Sequence, residues 1–174
     1  MYELYILGQL LFTDRSAYKL RFVLENVLGD NRKVSFGVLY PLLEKMEAAG
    51  TIVMTDDLDF RGKKKLRVTQ VGRDRFYTLM REPVKKNAHM NDVYLFKLSS
   101  LSLVDRTLAQ EIIDAFRIEK QTQHDKHSEH VVQLKAYHSD APFLKSAMQT
   151  NQLQIDLADT YLTYLDKIES ELQS

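Results

Sequence analysis

The chain has 174 residues, 44% of them apolar and 28% charged, with no cysteine and 24 basic side chains against 24 acidic ones. That composition supports one compact domain, or a small domain with an extension, and excludes wholesale disorder, a disulfide framework and thiolate metal sites. No apolar run reaches the roughly 18–20 residues of a membrane span, and Met1-Tyr2-Glu3-Leu4 lacks the basic start and cleavage site of a signal peptide, so a cytoplasmic protein is expected.

Leu4, Leu7, Leu10 and Leu11 recur at helical spacing and predict a first helix over about residues 2–12, broken by the capping residues Thr13-Asp14-Arg15-Ser16. A second helix, from about 16 to 28, carries Leu20, Val23, Leu24, Val27 and Leu28 on one side and ends at Gly29-Asp30-Asn31. Ser35 is placed to N-cap a third helix, its side-chain oxygen accepting from a backbone N–H of the first turn. Val38, Leu39, Leu42, Leu43 and Met46 follow at helical spacing, and Gly50 closes the helix. Pro41 falls within its first two turns, where the missing N–H costs few hydrogen bonds.

The period then changes. Thr51-Ile52-Val53-Met54-Thr55 is short and β-branched and predicts a strand; Lys65-Leu66-Arg67-Val68-Thr69 alternates and predicts a second strand with one buried face. The charged segment from Asp56 to Lys64, with Gly62, makes the basic tip of the hairpin. Thr69 or Gln70 starts another helix, carrying Val71, Phe76, Leu79 and Met80, and Pro83 marks its end.

The second half reads as wholly helical. Asn91 to Leu101 is short and very apolar, and Ser102 with Asp105 makes a capping-box-like start for a long helix carrying Leu108, Ile112, Ala115, Phe116, Val131, Leu134 and Tyr137. Its middle, 117–130, is polar except for Ile118, as in a helix that crosses solvent or a wet groove. Ser139-Asp140-Ala141-Pro142 breaks the pattern. In the last helix Ala158, Tyr161, Leu165, Ile168 and Leu172 make an a/d seam, which suits pairing with a second chain and equally an amphipathic helix packed on its own chain. The expected fold is mainly α with a small β-hairpin: a winged helix-turn-helix over 1–85, followed by an all-helical dimerisation domain over 86–174.

That order suits double-stranded DNA. The second helix of the pair enters a major groove about 12 Å wide with its N-terminal residues toward the base edges, while a basic wing follows the backbone. The neutral net charge is unevenly spread: residues 1–85 hold 15 Lys and Arg against 11 Asp and Glu, residues 86–174 hold 9 against 13, and 61–85 alone hold 9 against 2. Such asymmetry fits a first half that meets a polyanion, and equally a cluster on a solvated face.

The residues also resemble a family, the PadR-type transcriptional regulators. The first helix ends in the leucine-rich run Ile6-Leu7-Gly8-Gln9-Leu10-Leu11, and Ala17-Tyr18-Lys19-Leu20 is similar to the family's Gly-Tyr-Glu-Leu segment. Ser35-Phe36-Gly37-Val38-Leu39-Tyr40-Pro41 resembles the Ser-Pro-Gly-Ser-Leu-Tyr-Pro motif that opens the recognition helix. The wing near Arg61-Gly62-Lys63, then Thr69-Gln70-Val71-Gly72-Arg73, extends the likeness, which is strong over 4–80 and weaker over the helical second half. Ala17 stands for a glycine, Phe36 for the proline and Val38 for the second serine, which bears on sequence preference: Val38 loses a polar contact or replaces it by apolar contact with a thymine methyl.

What the resemblance implies is a homodimer on duplex DNA, with Tyr18, Lys19, Ser35, Phe36, Gly37, Val38 and Tyr40 at the backbone and groove, and Arg61, Lys63, Lys64 and Lys65 as wing ligands of phosphate. Arg32 and Lys33, just before the third helix, meet phosphates or face water. The seam Ala158, Tyr161, Leu165, Ile168 and Leu172 is the expected dimerisation surface. Operator binding that blocks transcription, and release by a small aromatic effector, are further implications; Tyr94, Phe96, Phe116 and Tyr137 suit such a cleft or plain core.

His124, His127 and His130 fall within about 120° of helical arc. They suit a metal or an exposed polar face, and the exposed face is expected. With no His-Glu-x-x-His pattern, no cysteine nucleophile and no glycine-rich phosphate loop, neither an enzyme nor a cofactor is expected. A winged helix that binds protein instead of DNA is the alternative, favoured by the neutral net charge and opposed by the basic stretch 61–85.

Overall fold

The computed structural model describes residues 1–29, 32–56, 64–139 and 141–173. It divides into two compact units, Met1–Asp105 and Arg106–Ser174.

The first unit contains α1 (Tyr2–Phe12), β1 (Arg15–Ser16), α2 (Ala17–Leu28), α3 (Phe36–Ala48), β2 (Ile52–Asp56), β3 (Lys64–Val68), α4 (Gln70–Arg81), α5 (Met90–Leu98) and a 3-10 turn at Leu101–Leu103. Three helices followed by an antiparallel hairpin make the winged helix-turn-helix expected from the sequence. The core follows the helical periodicity: Leu4, Leu7 and Leu10 of α1, Leu20 and Leu24 of α2, and Leu39, Leu43 and Met46 of α3 are buried, with Ile52, Leu66 and Val68 closing the sheet side. Tyr5 joins α1 to α2, its hydroxyl donating to the Val23 carbonyl at 2.9 Å. Burial pushes this phenol up to about 12, against a smaller opposing influence of Arg15.

The sheet has three strands in the order β1-β3-β2, all antiparallel. The added strand, β1, pairs Arg15 with Leu66 and Ser16 with Lys65. Two residues carry no periodicity, which is why Thr13–Ser16 reads only as a helix break. Ser16 still caps α2, its Oγ accepting from the Lys19 N–H at 3.3 Å. Ser35 differs from expectation. It occupies the N-cap of α3, but its side chain makes no capping hydrogen bond. The backbone carbonyl of Ser35 accepts from Val38 and Leu39 instead, each at 3.1 Å.

Gly72 is where α4 crosses the sheet: a Cβ there would lie 2.0 Å from the Thr51 carbonyl oxygen. The first unit continues past residue 85 because α5 packs into it. The Phe96 ring lies 4.8 Å from that of Tyr5, and the buried Lys97 ammonium donates to the carbonyls of Met80 at 2.8 Å and Glu82 at 2.6 Å, closing the end of α4. Composition and charge, which suggested a division near 85, do not register such contacts.

The second unit is a helical hairpin of α6 (Arg106–Tyr137) and α7 (Leu144–Gln173). Pairs from Gln110 with Glu169 to His127 with Asn151 set the two helices antiparallel. The polar middle of α6, expected to cross solvent or a wet groove, is partly enclosed: Lys120 is only 2% exposed, its Nζ 4.3 Å from the Tyr161 ring centroid and 3.1 Å from Gln123 Oε1. Phe96 and Phe116 are fully buried, one in each unit, and Tyr94 is buried as well, so these three are core side chains; Tyr137 is exposed. Among the described residues no helix is long and apolar enough to cross a membrane.

Candidate nucleic-acid interface

α2 and α3 form the helix-turn-helix pair. Leu39, Leu43 and Met46 fix one side of α3 in the core, which turns Gly37, Val38, Tyr40 and Pro41 outward. Val38 is 52% exposed and Tyr40 44%. A Cβ built on Gly37 would meet only Ser35 Oγ, at 3.7 Å, so no packing within the protein requires glycine there. The first turn therefore presents a hydroxyl unused in capping, a bare backbone and an apolar side chain.

Phe36 is half-buried. Its ring centroid lies 5.6 Å from that of Tyr40 and 4.4 Å from the Arg21 guanidinium carbon, which also stands 5.7 Å from the ring of Tyr18 on α2. Tyr18 and Phe22 are exposed, so α2 and α3 together display an aromatic surface with a cation within it. Arg21 escapes a motif-based reading. Its position three residues after Tyr18 on an amphipathic helix is the available signal.

The basic candidates divide. Lys19 and Lys33 are exposed. Arg32 forms an ion pair with Asp92 of α5, a buried carboxylate whose Oδ2 also lies 3.4 Å from His89 Nδ1, so this arginine ties the loop before α3 to α5. On the wing, Lys64 and Lys65 are exposed on β3. Asp14 stands beside them, 3.6 Å from Lys65 Nζ, and accepts from Arg67 Nε at 3.1 Å and Nη2 at 3.0 Å. The hydrogen bond from Arg67 is the main reason the Asp14 carboxyl lies below the usual carboxylate range. Arg67 belongs with this cluster: on a strand whose Leu66 and Val68 are buried, period two puts Lys65 and Arg67 on one outer face. Arg61 and Lys63 lie outside the described residues.

Of the seam expected to pair two chains, two residues are buried within the hairpin itself. Ala158 and Leu165 are 2% and 0% exposed within a single chain, while Tyr161, Ile168 and Leu172 are half-buried. The Tyr161 ring packs edge-on against Phe116 of α6 at 5.4 Å, and the interfacial ion pairs of Arg117 with Asp166 and Glu169 flank the same side. A heptad spacing does not distinguish a partner helix in the same chain from one in another. α7 instead exposes a second stripe of Leu153, Leu157 and Tyr164, where Leu157, Thr160, Tyr161, Tyr164 and Lys167 border an open groove of about 710 Å³.

His124 lies 3.0 Å from Asp125 and 3.6 Å from Asp159, and His127 Nδ1 lies 2.8 Å from Asn151 Oδ1. Among the described residues no cluster of three His, Asp or Glu side chains is arranged to hold a metal ion.

No protein-family model and no curated protein matches the chain. Solved structures are similar to it. Bacillus subtilis PadR in complex with operator DNA is 17% identical, with 97% of this chain and 96% of that chain covered and a TM-score of 0.44. A PadR-like transcriptional regulator from Bacillus cereus is 22% identical over 97% of this chain and 100% of that chain, with a TM-score of 0.43. The virulence activator AphA of Vibrio cholerae is 18% identical over 99% and 98%, with a TM-score of 0.41.

Proposed function

We propose that the chain is a PadR-type transcriptional regulator that binds duplex DNA as a homodimer and acts by binding, not by catalysis. The observation that carries this reading is the first turn of α3. Its residues Ser35, Gly37, Val38 and Tyr40 face outward, Gly37 is not required by packing, and the same unit carries the cations Lys64, Lys65 and Arg67 on its wing strand. α3 enters the major groove; the wing, with Lys19 and Lys33, neutralises phosphate and supplies affinity without sequence information.

Two chains pair through the outer stripe of α7, Leu153, Leu157 and Tyr164, which the hairpin leaves exposed. Pairing holds two recognition helices ~34–36 Å apart, one turn of DNA, so each meets a half-site of an inverted repeat. Occupying a promoter represses transcription. A small aromatic effector releases the dimer by binding its two geometries unequally.

The test is a footprint on the DNA upstream of the chain's own coding sequence and on duplexes selected from a random pool. Two protected half-sites about one helical turn apart support the reading. Selection without enrichment contradicts it. The exposed aromatics Tyr18, Phe22 and Tyr40 favour a second reading, a winged helix that docks on protein. An interaction that survives substitution of Lys64 and Lys65, with no affinity for any duplex, separates the two.

A further inference from the structure

We propose that α3 reads thymine by its 5-methyl group, with Val38 as the specificity-determining side chain. This rests on the DNA-binding reading above and deepens it. From Phe36 to Leu43 the helix carries no Arg, Lys, Asn, Gln, Asp or Glu. Those are the side chains that make paired hydrogen bonds to guanine or adenine, or accept from cytosine. The first charged residues on the helix are Glu44 and Lys45, two turns in. The hydroxyls of Ser35 and Tyr40 remain, and a single hydroxyl donates or accepts and so discriminates poorly.

The outward side chain at the leading turn is instead apolar. Val38 is 52% exposed, and a β-branched residue in a helix holds nearly one rotamer, so its two methyl groups point in a fixed direction. The thymine methyl is the apolar feature that the major groove offers such a side chain.

The surroundings favour close contact. Gly37, next to Val38, adds no side chain although a Cβ there would be tolerated by the fold, so the bare backbone leaves room for close approach. Phe36 is held on its other side by Arg21 and Tyr40, which steadies the start of the helix where Val38 stands.

The experiment uses the full chain and the best duplex selected from a random pool. Each thymine is replaced in turn by deoxyuridine, which removes the methyl group and leaves every hydrogen-bonding atom in place. Affinity of the wild type is expected to fall about 3- to 5-fold at one thymine in each half-site, the magnitude of one buried carbon. Placing 5-methylcytosine there in a cytosine-substituted site restores part of the loss. V38A, a good helix former at an exposed position, withdraws both γ-methyls and is expected to discriminate less between thymine and deoxyuridine duplexes than the wild type.

A wild type indifferent to every thymine-to-uracil change overturns the proposal while leaving DNA binding intact. So does a V38A variant that keeps the full discrimination. Failure to select any duplex overturns the proposal together with the reading beneath it.

Discussion

The guanidinium carbon of Arg21 on α2 stands 4.4 Å from the ring centroid of Phe36, the first residue of α3. Glu25 Oε1 lies 3.8 Å from Arg21 Nε and accepts from the Val34 backbone at 2.9 Å, so the cation is held between the two helices of the pair. Such a contact is worth about 0.5–1 kcal/mol at a partly exposed site. F36A also loses the Tyr40 ring contact and is expected to destabilise the first unit by about 1–2 kcal/mol in urea unfolding. A double-mutant cycle with R21A should return a coupling of about 0.5–1 kcal/mol; additivity would show that the stack holds nothing.

Two glycines separate fold from function. G72A drives a Cβ to 2.0 Å from the Thr51 carbonyl and 2.8 Å from Val68, so α4 must move, and loss of the cooperative thermal transition or a much lower Tm is expected. G37A meets nothing closer than 3.7 Å. Replacing glycine by alanine inside a helix should raise stability by roughly 0.5–1 kcal/mol. The same substitution should weaken duplex binding, because the added methyl stands where the groove approaches. A G37A protein that binds as tightly as wild type would remove Gly37 from the interface.

The two buried lysines should respond differently to substitution. K97M leaves the carbonyls of Met80 and Glu82 without their donor and is expected to cost roughly 2 kcal/mol or more. K120M keeps a flexible chain against Phe116 and Tyr161, and is expected to change stability by less than about 1 kcal/mol. Burial is the larger influence on both ammonium groups and holds both below the ordinary lysine value of 10.5; Glu82 and Glu119 act in the opposite direction. The folded chain therefore binds fewer protons than the unfolded one just below pH 10.5, and these groups make stability rise with pH in that window. Unfolding free energies measured across it should rise less steeply in the K97M/K120M double variant.

The two stripes of α7 give opposite outcomes. Leu165 is fully buried on the α6 side, so L165A should destabilise the hairpin by about 2–5 kcal/mol. Leu157 and Tyr164 face outward. L157E/Y164E should keep the wild-type circular dichroism spectrum and Tm at monomer concentration while halving the mass seen in sedimentation. An unchanged dimer would place the pairing surface elsewhere.

The helices of the first unit were legible because each packs one face: Leu39, Leu43 and Met46 of α3 mark the core side without any knowledge of the fold. Residues that take their role from a distant partner were not. Arg32 reads as a free cation before α3 until Asp92 is seen beside it, sixty positions along. Ser35 reads as a cap by type, yet its side chain makes no capping bond, and its backbone carbonyl accepts from Val38 and Leu39. Ala158 and Leu165 carry a spacing that any apolar partner helix meets, and here the partner is α6. Ser35, Gly37, Val38 and Tyr40, the outward residues of the candidate interface, were legible from the motif. Arg21 and Arg67, outside that motif, needed the contacts.

The salt dependence of duplex affinity tests the central claim most directly. For wild type, log K should fall linearly with log salt concentration, by about 0.9 for each phosphate neutralised, and the K64Q/K65Q/R67Q variant, which loses three cations from each chain of the dimer, should show a slope shallower by up to about 5 units. No binding to duplex even at low salt, or an identical slope in wild type and variant, would contradict a winged helix that docks its strand cations on DNA.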